Sequence, residues 1–143
     1  MTLKSILKHK TAGFIAVAPD ARVSEVIATL AEKHIGAVMV TDHGKLVGIL
    51  SERDVVRSMA VQGAQTLDMP ASALMTHNPS TATPDFTVEQ AMSLMTEGRF
   101  RHLPIIENGE LAGLVSIGDV VKAVIEQSQY EVESLRTYVA GAV

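Results

Sequence analysis

The sequence predicts a mixed α/β (α+β) fold in which two copies of a β-α-β-β-α unit pack as one module with pseudo-twofold symmetry, followed by an extended C-terminal helix. Three observations predict it: a 65-residue repeat, alternating strand and helix patterns within each copy, and an uninterrupted helical pattern after the second copy. The 143 residues, 47% hydrophobic and 20% charged, suit one compact globular domain.

The repeat aligns residues 19–57 with residues 84–122 without a gap. Eleven of these 39 positions are identical, including Pro19/Pro84 and Gly48/Gly113. A single copy of about 60 residues would be only marginally stable alone. We therefore expect the two copies to pack against each other.

Each copy begins with a short extended segment that ends at a Pro-Asp turn, over residues 14–18 and 80–83. Apolar residues at helical spacing then predict helices over residues 23–33 and 88–97, and Thr87 with Gln90 forms a capping box.

Two strands follow in each copy, with a tight turn between them. They are predicted over residues 37–41 and 46–50, and over 102–106 and 111–115. A second helix then begins at Ser51 or Ser116. The resulting organisation is repeat 1 over 1–62, a connector over 63–76, repeat 2 over 77–127 and a helical extension over 128–143.

The last helix is predicted to run on to Tyr138, because neither proline nor glycine follows Gly118 up to that point. Its apolar positions alternate in spacings of four and three, which is typical of a helix-helix seam. The seam consists of Val121, Ile125, Ser128, Val132, Leu135 and Val139. Self-association is the commonest use of such a seam, so we expect a homodimer.

Composition excludes several classes of function. The absence of cysteine removes disulfides, thiolate catalysis and cysteine-based zinc sites, and the five histidines show no metal-ligand spacing. A net charge of -4 and 3% aromatic residues argue against nucleic-acid binding. No apolar run reaches the roughly 18 residues of a membrane helix, and no signal-peptide pattern occurs. We expect a cytoplasmic protein with no membrane or metal interaction.

The most informative motif is a duplicated Gly-x-x-Ser-x-x-Asp at a strand-to-helix junction, with Ser51 and Asp54 in one copy and Ser116 and Asp119 in the other. One interpretation is structural, because Ser-x-x-Asp is a good helix capping box. The other is functional: a phosphate binds at the helix N-terminus and the aspartate accepts both hydroxyls of a ribose. The same residues can do both.

Together with this motif, three segments carry a resemblance to a known family: Ser51-Glu52-Arg53-Asp54, Arg101-His102-Leu103-Pro104 and the run from Ser116 to Lys122. From residue 6 to residue 126 the chain resembles a pair of CBS domains (a Bateman module), as in small stand-alone bacterial proteins; its ending, residues 135–141, fits that group. The resemblance implies a regulatory module that binds AMP, ADP or ATP, with NAD or NADH as alternatives, in two clefts between the repeats. It also implies disc-like dimers.

The resemblance places the first cleft at Asp119, which would hold the ribose, with Ser116, Ile117 and Gly118 shaping the turn. Arg101 and His102 would meet the phosphate. The base would lie near Gly13, Phe14, Ile15, Ile35, Gly36 and Ala37.

The second cleft would use Asp54 and Ser51 in the matching roles, with Arg53 as phosphate donor and with Thr76, Ser80, Thr81 and Phe100 lining the base side. Gly36 and Ala37 occupy the positions in repeat 1 that match Arg101 and His102. We therefore expect the Asp119 cleft to be the stronger one for an anionic ligand. Arg53 would compensate in the Asp54 cleft and favour a larger nucleotide such as NAD.

Three classes of function were compared. A ligand-sensing regulatory module, which signals to a separate and unidentified partner protein, is favoured by the duplicated motif and the resemblance. A structural dimerisation module, in which Ser-x-x-Asp only caps helices, is the alternative. An enzyme is not expected, because the sequence shows no nucleophile-base pair, no metal constellation and no acid/base carboxylate pair.

Overall fold

The computed structural model describes residues 1–10 and 14–141. Their helices and strands follow one another as α1 (Leu3–His9), β1 (Ala16–Val17), α2 (Val23–Lys33), β2 (Ala37–Asp42), β3 (Lys45–Ser51), α3 (Glu52–Gln62), α4 (Ala71–Leu74), β4 (Thr76–His77), α5 (Val88–Gly98), β5 (His102–Glu107), β6 (Glu110–Ser116) and α6 (Ile117–Gly141). The mixed α+β architecture and the long C-terminal helix confirm the predicted fold class.

The two copies repeat each other in backbone detail. In both antiparallel hairpins, β2–β3 and β5–β6, the register shifts after the fourth residue of the first strand, at Val40 and at Ile105. Both hairpin turns contain a glycine in the left-handed region, Gly44 with φ of 80° and Gly109 with φ of 79°. Only glycine adopts this conformation without strain, which explains why the turn glycine occurs in both copies.

The copies differ in the strands that flank the hairpins. β1 pairs in parallel with β2, and β4 pairs with β3, which gives repeat 1 a four-stranded sheet in the order β1-β2-β3-β4. The second sheet contains β5 and β6, and the predicted extended segment over 80–83 adds only a single bridge, from Ala82 to Ile105. The predicted connector contains a 3₁₀ helix, Gly63–Asp68, as well as α4 and the start of β4.

A short helix at the start of the chain completes the second repeat rather than the first. The N–H groups of Leu3 and Lys4 donate to the carbonyls of Phe86 and Pro84, at 2.9 Å each. Leu3 is fully buried in the core of repeat 2. α1 therefore packs on the repeat that lies farther along the chain.

The reciprocal arrangement holds for α4, which precedes repeat 2 but packs on repeat 1. The N–H groups of Ala71 and Ser72 donate to the carbonyls of Ala21 and Pro19, at 2.7 and 2.9 Å. Each repeat is thus completed by the helix that leads into the other repeat. This exchange ties the two copies into one body.

The hydrophobic residues form two cores that follow the exchange. One core contains Leu3, Ile6, Ala82, Val88, Ala91, Met95, Leu103, Ile105, Val115, Val120 and Ala123. The other contains Val26, Leu30, Val38, Val40, Leu50, Ala71 and Met75. Because α1 and α4 contribute to cores across the repeat boundary, neither copy has a complete core of its own.

Gly48 and Gly113, the first residues of the duplicated motif, make room for the exchanged segments. A Cβ atom on Gly48 would lie 2.8 Å from Met75 Cγ and 2.9 Å from the carbonyl oxygen of Thr76. A Cβ atom on Gly113 would lie 2.6 Å from Leu7 Cδ2. Both glycines therefore allow their strands to pack closely against the exchanged segments. They lie in the strand, before the following helix begins.

The first turns of α6 pack against the rest of the fold, and the remainder of the helix extends beyond it. Val120 and Ala123 are buried, whereas the apolar residues of the predicted seam from Ile125 onward are exposed. The helix has 25 residues, about 37 Å in length, and no described helix is both long and apolar enough to cross a membrane.

We expect Gly48→Ala to lower the free energy of unfolding by about 1–3 kcal/mol, because the new methyl group meets a backbone carbonyl that cannot move without disturbing β4. Gly113→Ala is the matched variant, and its loss should be smaller because Leu7 meets the methyl only with the end of its side chain. Urea denaturation measures both. An unchanged Gly48→Ala midpoint would show that the packing at Met75 is looser than described.

Candidate functional site

The predicted capping box at Asp54 is confirmed. Ser51 is the N-cap of α3: its Oγ accepts from the Asp54 N–H at 3.3 Å, and Asp54 Oδ2 accepts from the Ser51 N–H at 2.9 Å. The second oxygen of this carboxylate, Oδ1, receives no hydrogen bond from the described residues. The cap therefore uses one carboxylate oxygen and leaves the other available.

The second motif forms the same reciprocal bonds at the start of α6. The Asp119 N–H donates to Ser116 Oγ at 3.1 Å, and the Ser116 N–H donates to Asp119 Oδ2 at 2.9 Å. Here a further group is present, because Lys10 Nζ lies 2.9 Å from the same Oδ2 and donates to the carbonyl of Leu114 at 2.7 Å. Asp119 is thus both a cap and an ion-pair partner.

These contacts determine the charge state of Asp119. Partial burial alone raises the pKa of its carboxyl group, but the hydrogen bonds from the Ser116 N–H and from Lys10, together with the Lys10 charge, outweigh the burial. The pKa of Asp119 therefore lies below its usual value. The carboxylate is ionised at neutral pH and can accept hydrogen bonds from a ligand.

A cavity of about 500 Å³ opens at Asp119. It is lined by Leu7, Lys10, Phe14, Ile15, His34, Ile35, Gly36, Ala37, His102, Ala112, Gly113, Leu114, Ser116 and Asp119. Its volume falls within the roughly 300–1,000 Å³ that small-molecule sites usually have.

A second cavity, of about 150 Å³, opens at Asp54. It is lined by Gly36, Ile49, Ser51, Glu52, Arg53, Asp54, Arg57, Thr76, Arg99, Phe100, Arg101 and His102. This volume is below the usual range for a small-molecule site, so the cavity can enclose only part of a ligand of nucleotide size.

The two cavities are built by the same rule. Each combines the Ser-x-x-Asp motif of one repeat with the helix-to-strand turn of the other: residues 34–37 face Asp119, and residues 99–102 face Asp54. In both turns a non-glycine residue at the end of the helix adopts the left-handed conformation, His34 with φ of 55° and Arg99 with φ of 57°. Each cavity is therefore lined by residues of both repeats.

Most residues predicted for the Asp119 cleft lie together. The cavity brings together Phe14, Ile15, Ile35, Gly36, Ala37, His102, Ser116 and Asp119. Ile117 and Gly118 belong to the first turn of α6 and are not among its lining residues. Gly13 lies outside the described residues.

In the Asp54 cleft, Ser51, Arg53, Asp54, Thr76 and Phe100 come together as predicted. Ser80 and Thr81 do not line this cavity, because the chain turns away from it after β4, which ends at His77.

The expected position of Arg101 is corrected by the structure. Its backbone carbonyl accepts the Ile117 N–H at 2.8 Å, beside the Asp119 motif, but the residue lines the cavity at Asp54 and not the one at Asp119. The reason is that the turn carrying Arg101 faces across to the other repeat. Four arginines therefore line the Asp54 cavity and none of the residues lining the Asp119 cavity is an arginine, which is the reverse of the charge distribution on which the expectation of a stronger anion site at Asp119 is based.

Some residues that line the two cavities were not predicted from the sequence. Lys10 and His34 line the Asp119 cavity, and Glu52, Arg57 and Arg99 line the Asp54 cavity. The 65-residue repeat carried a signal for two of them, since His34 and Arg99 occupy matching positions in the turns. No sequence signal indicated Lys10, because only the exchanged packing of α1 brings it to Asp119.

Gly36 and His102 line both cavities and form the wall between them. A Cβ atom on Gly36 would lie 3.3 Å from His102 Nε2 and 3.6 Å from Glu52 Oε1. Burial lowers the pKa of His102; the Glu52 and Asp119 charges oppose this effect, whereas Lys10 and Arg101 add to it. The pKa stays below the usual 6.5, so His102 is neutral at pH 7.

Comparisons with known proteins agree with this architecture. The family model of the CBS domain matches the chain twice, over residues 4–61 and 71–126. The chain belongs to the CBS-domain family and contains a tandem pair of these domains.

Individual relatives support the assignment. The chain is 34% identical over 144 residues to the mitochondrial CBS domain-containing protein CBSX3 of Arabidopsis thaliana, covering 97% of this chain and 70% of that protein. The structure of the CBS-domain protein ATU1752 from Agrobacterium tumefaciens is similar, with 46% identity, a TM-score of 0.83 and coverage of 86% and 98%. A second structure, that of the CBS domain protein PAE2072 of Pyrobaculum aerophilum complexed with AMP, has 27% identity, a TM-score of 0.74 and coverage of 83% and 89%.

Among residues 1–10 and 14–141, no group of three or more histidine, aspartate and glutamate side chains is arranged to hold a metal ion.

Because the pKa of His102 is below 6.5 in the folded state, the unfolded chain takes up the proton first as the pH falls. We expect the stabilisation from neutral His102 to be complete above about pH 6.5 and to be lost progressively below it. Urea denaturation at pH 7.5 and 5.5 should show a smaller decrease for His102→Gln than for the wild type. His77→Gln, at an exposed position in β4, is the control and should keep the wild-type decrease; equal decreases in all three proteins would contradict the prediction.

Proposed function

We propose that this chain is a regulatory module that binds adenosine-containing nucleotides, AMP, ADP or ATP with NAD or NADH as alternatives, in the cavities at Asp54 and Asp119. The observation that carries the proposal is that each cavity joins a capped helix N-terminus and an available carboxylate oxygen from one repeat to a turn of the other. The AMP in the PAE2072 structure supports the ligand class.

The chemistry of each cavity fits the parts of such a ligand. The aspartate oxygen that is not used in the cap can accept the hydroxyls of a ribose. Phe14, Ile15 and Ile35 offer the Asp119 cavity an apolar surface for a base, and Ile49 and Phe100 do so at Asp54. The N-termini of α3 and α6 favour a negatively charged group nearby.

A ligand that contacts both repeats can change their relative arrangement. The change is limited by the difference in its affinity for the two arrangements, so occupancy of the cavities sets the population of each state. We infer that a separate partner protein detects this state, and that the protein acts in the cytoplasm without catalysing a reaction.

The alternative function is a structural dimerisation module. It is favoured by the observation that both Ser-x-x-Asp motifs form the capping bonds that a purely structural role requires. The two functions differ in their need for a ligand, because the capping bonds form whether or not a ligand is bound.

We also propose that the chain forms a homodimer through α6. Ile125, Val132, Leu135 and Val139 continue one stripe along the part of the helix that extends beyond the fold, and each is about half exposed or more. The stripe has the spacing with which two identical helices pack. A second copy of the chain carries the same exposed stripe, so two copies can bury their stripes against each other.

The nucleotide proposal predicts that AMP raises the melting temperature of the wild-type protein. At 100 times its Kd a ligand adds about 2.7 kcal/mol, which is several degrees for a chain of this size. Asp54→Ala and Asp119→Ala should each lose the part of the shift that comes from its own cavity. The panel for thermal denaturation is AMP, ADP, ATP, NAD, NADH and S-adenosylmethionine.

Asp54→Asn is the control for lost capping, because its side-chain oxygen can still accept the Ser51 N–H. No shift with any of these nucleotides at millimolar concentration, in a protein that circular dichroism shows to be folded, would favour the structural dimerisation module.

The dimer proposal predicts that Leu135→Glu raises the dissociation constant of the dimer at least tenfold, because a charge enters an apolar contact. Ser134→Glu adds the same charge on the opposite face of α6 and should leave the constant unchanged. Sedimentation equilibrium over a range of concentrations measures it. Equal constants for the two variants would place the interface elsewhere.

A further inference from the structure

The cavity at Asp54 contains an excess of positive charge. Arg53, Arg57, Arg99 and Arg101 line it together, and their charges are opposed only by Glu52 and Asp54. No ion pair joins any of these arginines to a carboxylate of residues 1–10 and 14–141. Two positive charges therefore remain uncompensated in this cavity.

The repeat provides an internal comparison for each arginine. The positions 65 residues away are Gly118 for Arg53, Lys122 for Arg57, His34 for Arg99 and Gly36 for Arg101. Lys122, on the first turns of α6, does not line the 500 Å³ cavity at Asp119 but a neighbouring one of about 300 Å³, which Lys10, Asp119 and Glu126 also line. Of these two cavities, only the one at Asp54 is therefore lined by guanidinium groups.

The charges of the residues that line the cavity at Asp119 balance one another. The Asp119 carboxylate is neutralised by Lys10, whose Nζ lies 2.9 Å from it, and none of the lining residues is an arginine. The histidine that it shares with the other cavity, His102, is neutral at pH 7. The net charge facing a ligand is close to zero.

We propose that the two cavities sort ligands by charge: the Asp54 cavity binds only adenosine ligands that carry a phosphate, whereas the Asp119 cavity accepts the nucleoside with or without phosphate. The proposal rests on the proposed nucleotide-binding function and adds the ligand class of each cavity. A phosphate monoester carries close to two negative charges at pH 7, which matches the uncompensated charge at Asp54.

Guanidinium groups suit this role because they bind phosphate oxygens in pairs with fixed geometry. Arg99 ends α5 in the left-handed backbone conformation, and Arg101 follows two residues later. Both of these donors therefore come from repeat 2. Arg53 and Arg57 approach from α3 in repeat 1. A phosphate between them would be contacted from both repeats.

The difference in volume strengthens the distinction. The Asp54 cavity has about 150 Å³ and the Asp119 cavity about 500 Å³, so the Asp54 cavity encloses a smaller part of a ligand of nucleotide size. Apolar contact then contributes less to binding at Asp54, and the charge of a phosphate contributes more. Uncharged adenosine lacks this charge, and we expect it to be excluded from the Asp54 cavity.

The test is isothermal titration of the full chain with AMP and with adenosine, using variants that retain one cavity each. Asp119→Ala retains the Asp54 cavity and should bind AMP at least about 100-fold more tightly than adenosine, the ratio that two charge-assisted hydrogen bonds give. Asp54→Ala retains the Asp119 cavity, and its ratio should stay below about fivefold. If Asp54→Ala does not fold, Asp54→Asn replaces it.

Arg57→Gln and Lys122→Gln form a matched pair, because they remove a cation from equivalent positions of the repeat. In the Asp119→Ala background, Arg57→Gln should weaken AMP binding about tenfold, and Lys122→Gln should leave it unchanged. Raising the salt concentration should weaken AMP binding more at Asp54 than at Asp119.

Equal or reversed ratios in the two single-cavity variants would overturn the proposal while leaving nucleotide binding intact. Equal effects of Arg57→Gln and Lys122→Gln would also overturn it. If neither AMP nor adenosine binds the folded wild-type protein, the proposed function itself fails, and the charge sorting fails with it.

Discussion

The exchange of α1 and α4 between the two repeats is the packing constraint on which the rest of the structure depends. α1 precedes repeat 1 but completes the core of repeat 2, and α4 precedes repeat 2 but completes the core of repeat 1. Gly48 permits this packing because a side chain there would meet the backbone at Thr76, and Gly113 leaves room for the end of the Leu7 side chain. A chain of two marginal halves thereby becomes one body, and hydrophobic burial stabilises both halves together.

The same exchange creates the cavities. With the repeats related by a pseudo-twofold axis, the helix N-terminus of one repeat faces the turn of the other, and Gly36 meets His102 where the two turns come closest. A site shared between two repeats is suited to regulation, because a ligand there acts on their relative arrangement. The duplication supplies equal scaffolds, and substitutions at matching positions then give the two sites different charge. The arginines at Asp54 and the ion pair of Lys10 at Asp119 illustrate how far the copies have diverged.

The residues that cap α3 and α6 are also free to take part in the proposed binding, for a physical reason. In the serine-aspartate pair the hydroxyl accepts the aspartate N–H and one carboxylate oxygen accepts the serine N–H, so the second carboxylate oxygen of Asp54 receives no hydrogen bond from the described residues. The two interpretations of the motif are therefore compatible. Ionisation of Asp119 is maintained by the Ser116 N–H and by Lys10, which together outweigh its burial.

The sequence by itself determined the repeat, the hairpins and the caps, since these depend on residues a few positions apart or on an exact internal match. The left-handed turns at Gly44 and Gly109 and the box at Thr87 follow from local backbone and side-chain chemistry. Only the tertiary structure decided which turn faces which motif. It placed Arg101 in the lining of the opposite cavity and brought Lys10 to Asp119, because both placements arise from packing between segments that are distant along the chain. Residue spacing within one copy contains no information about such contacts between copies.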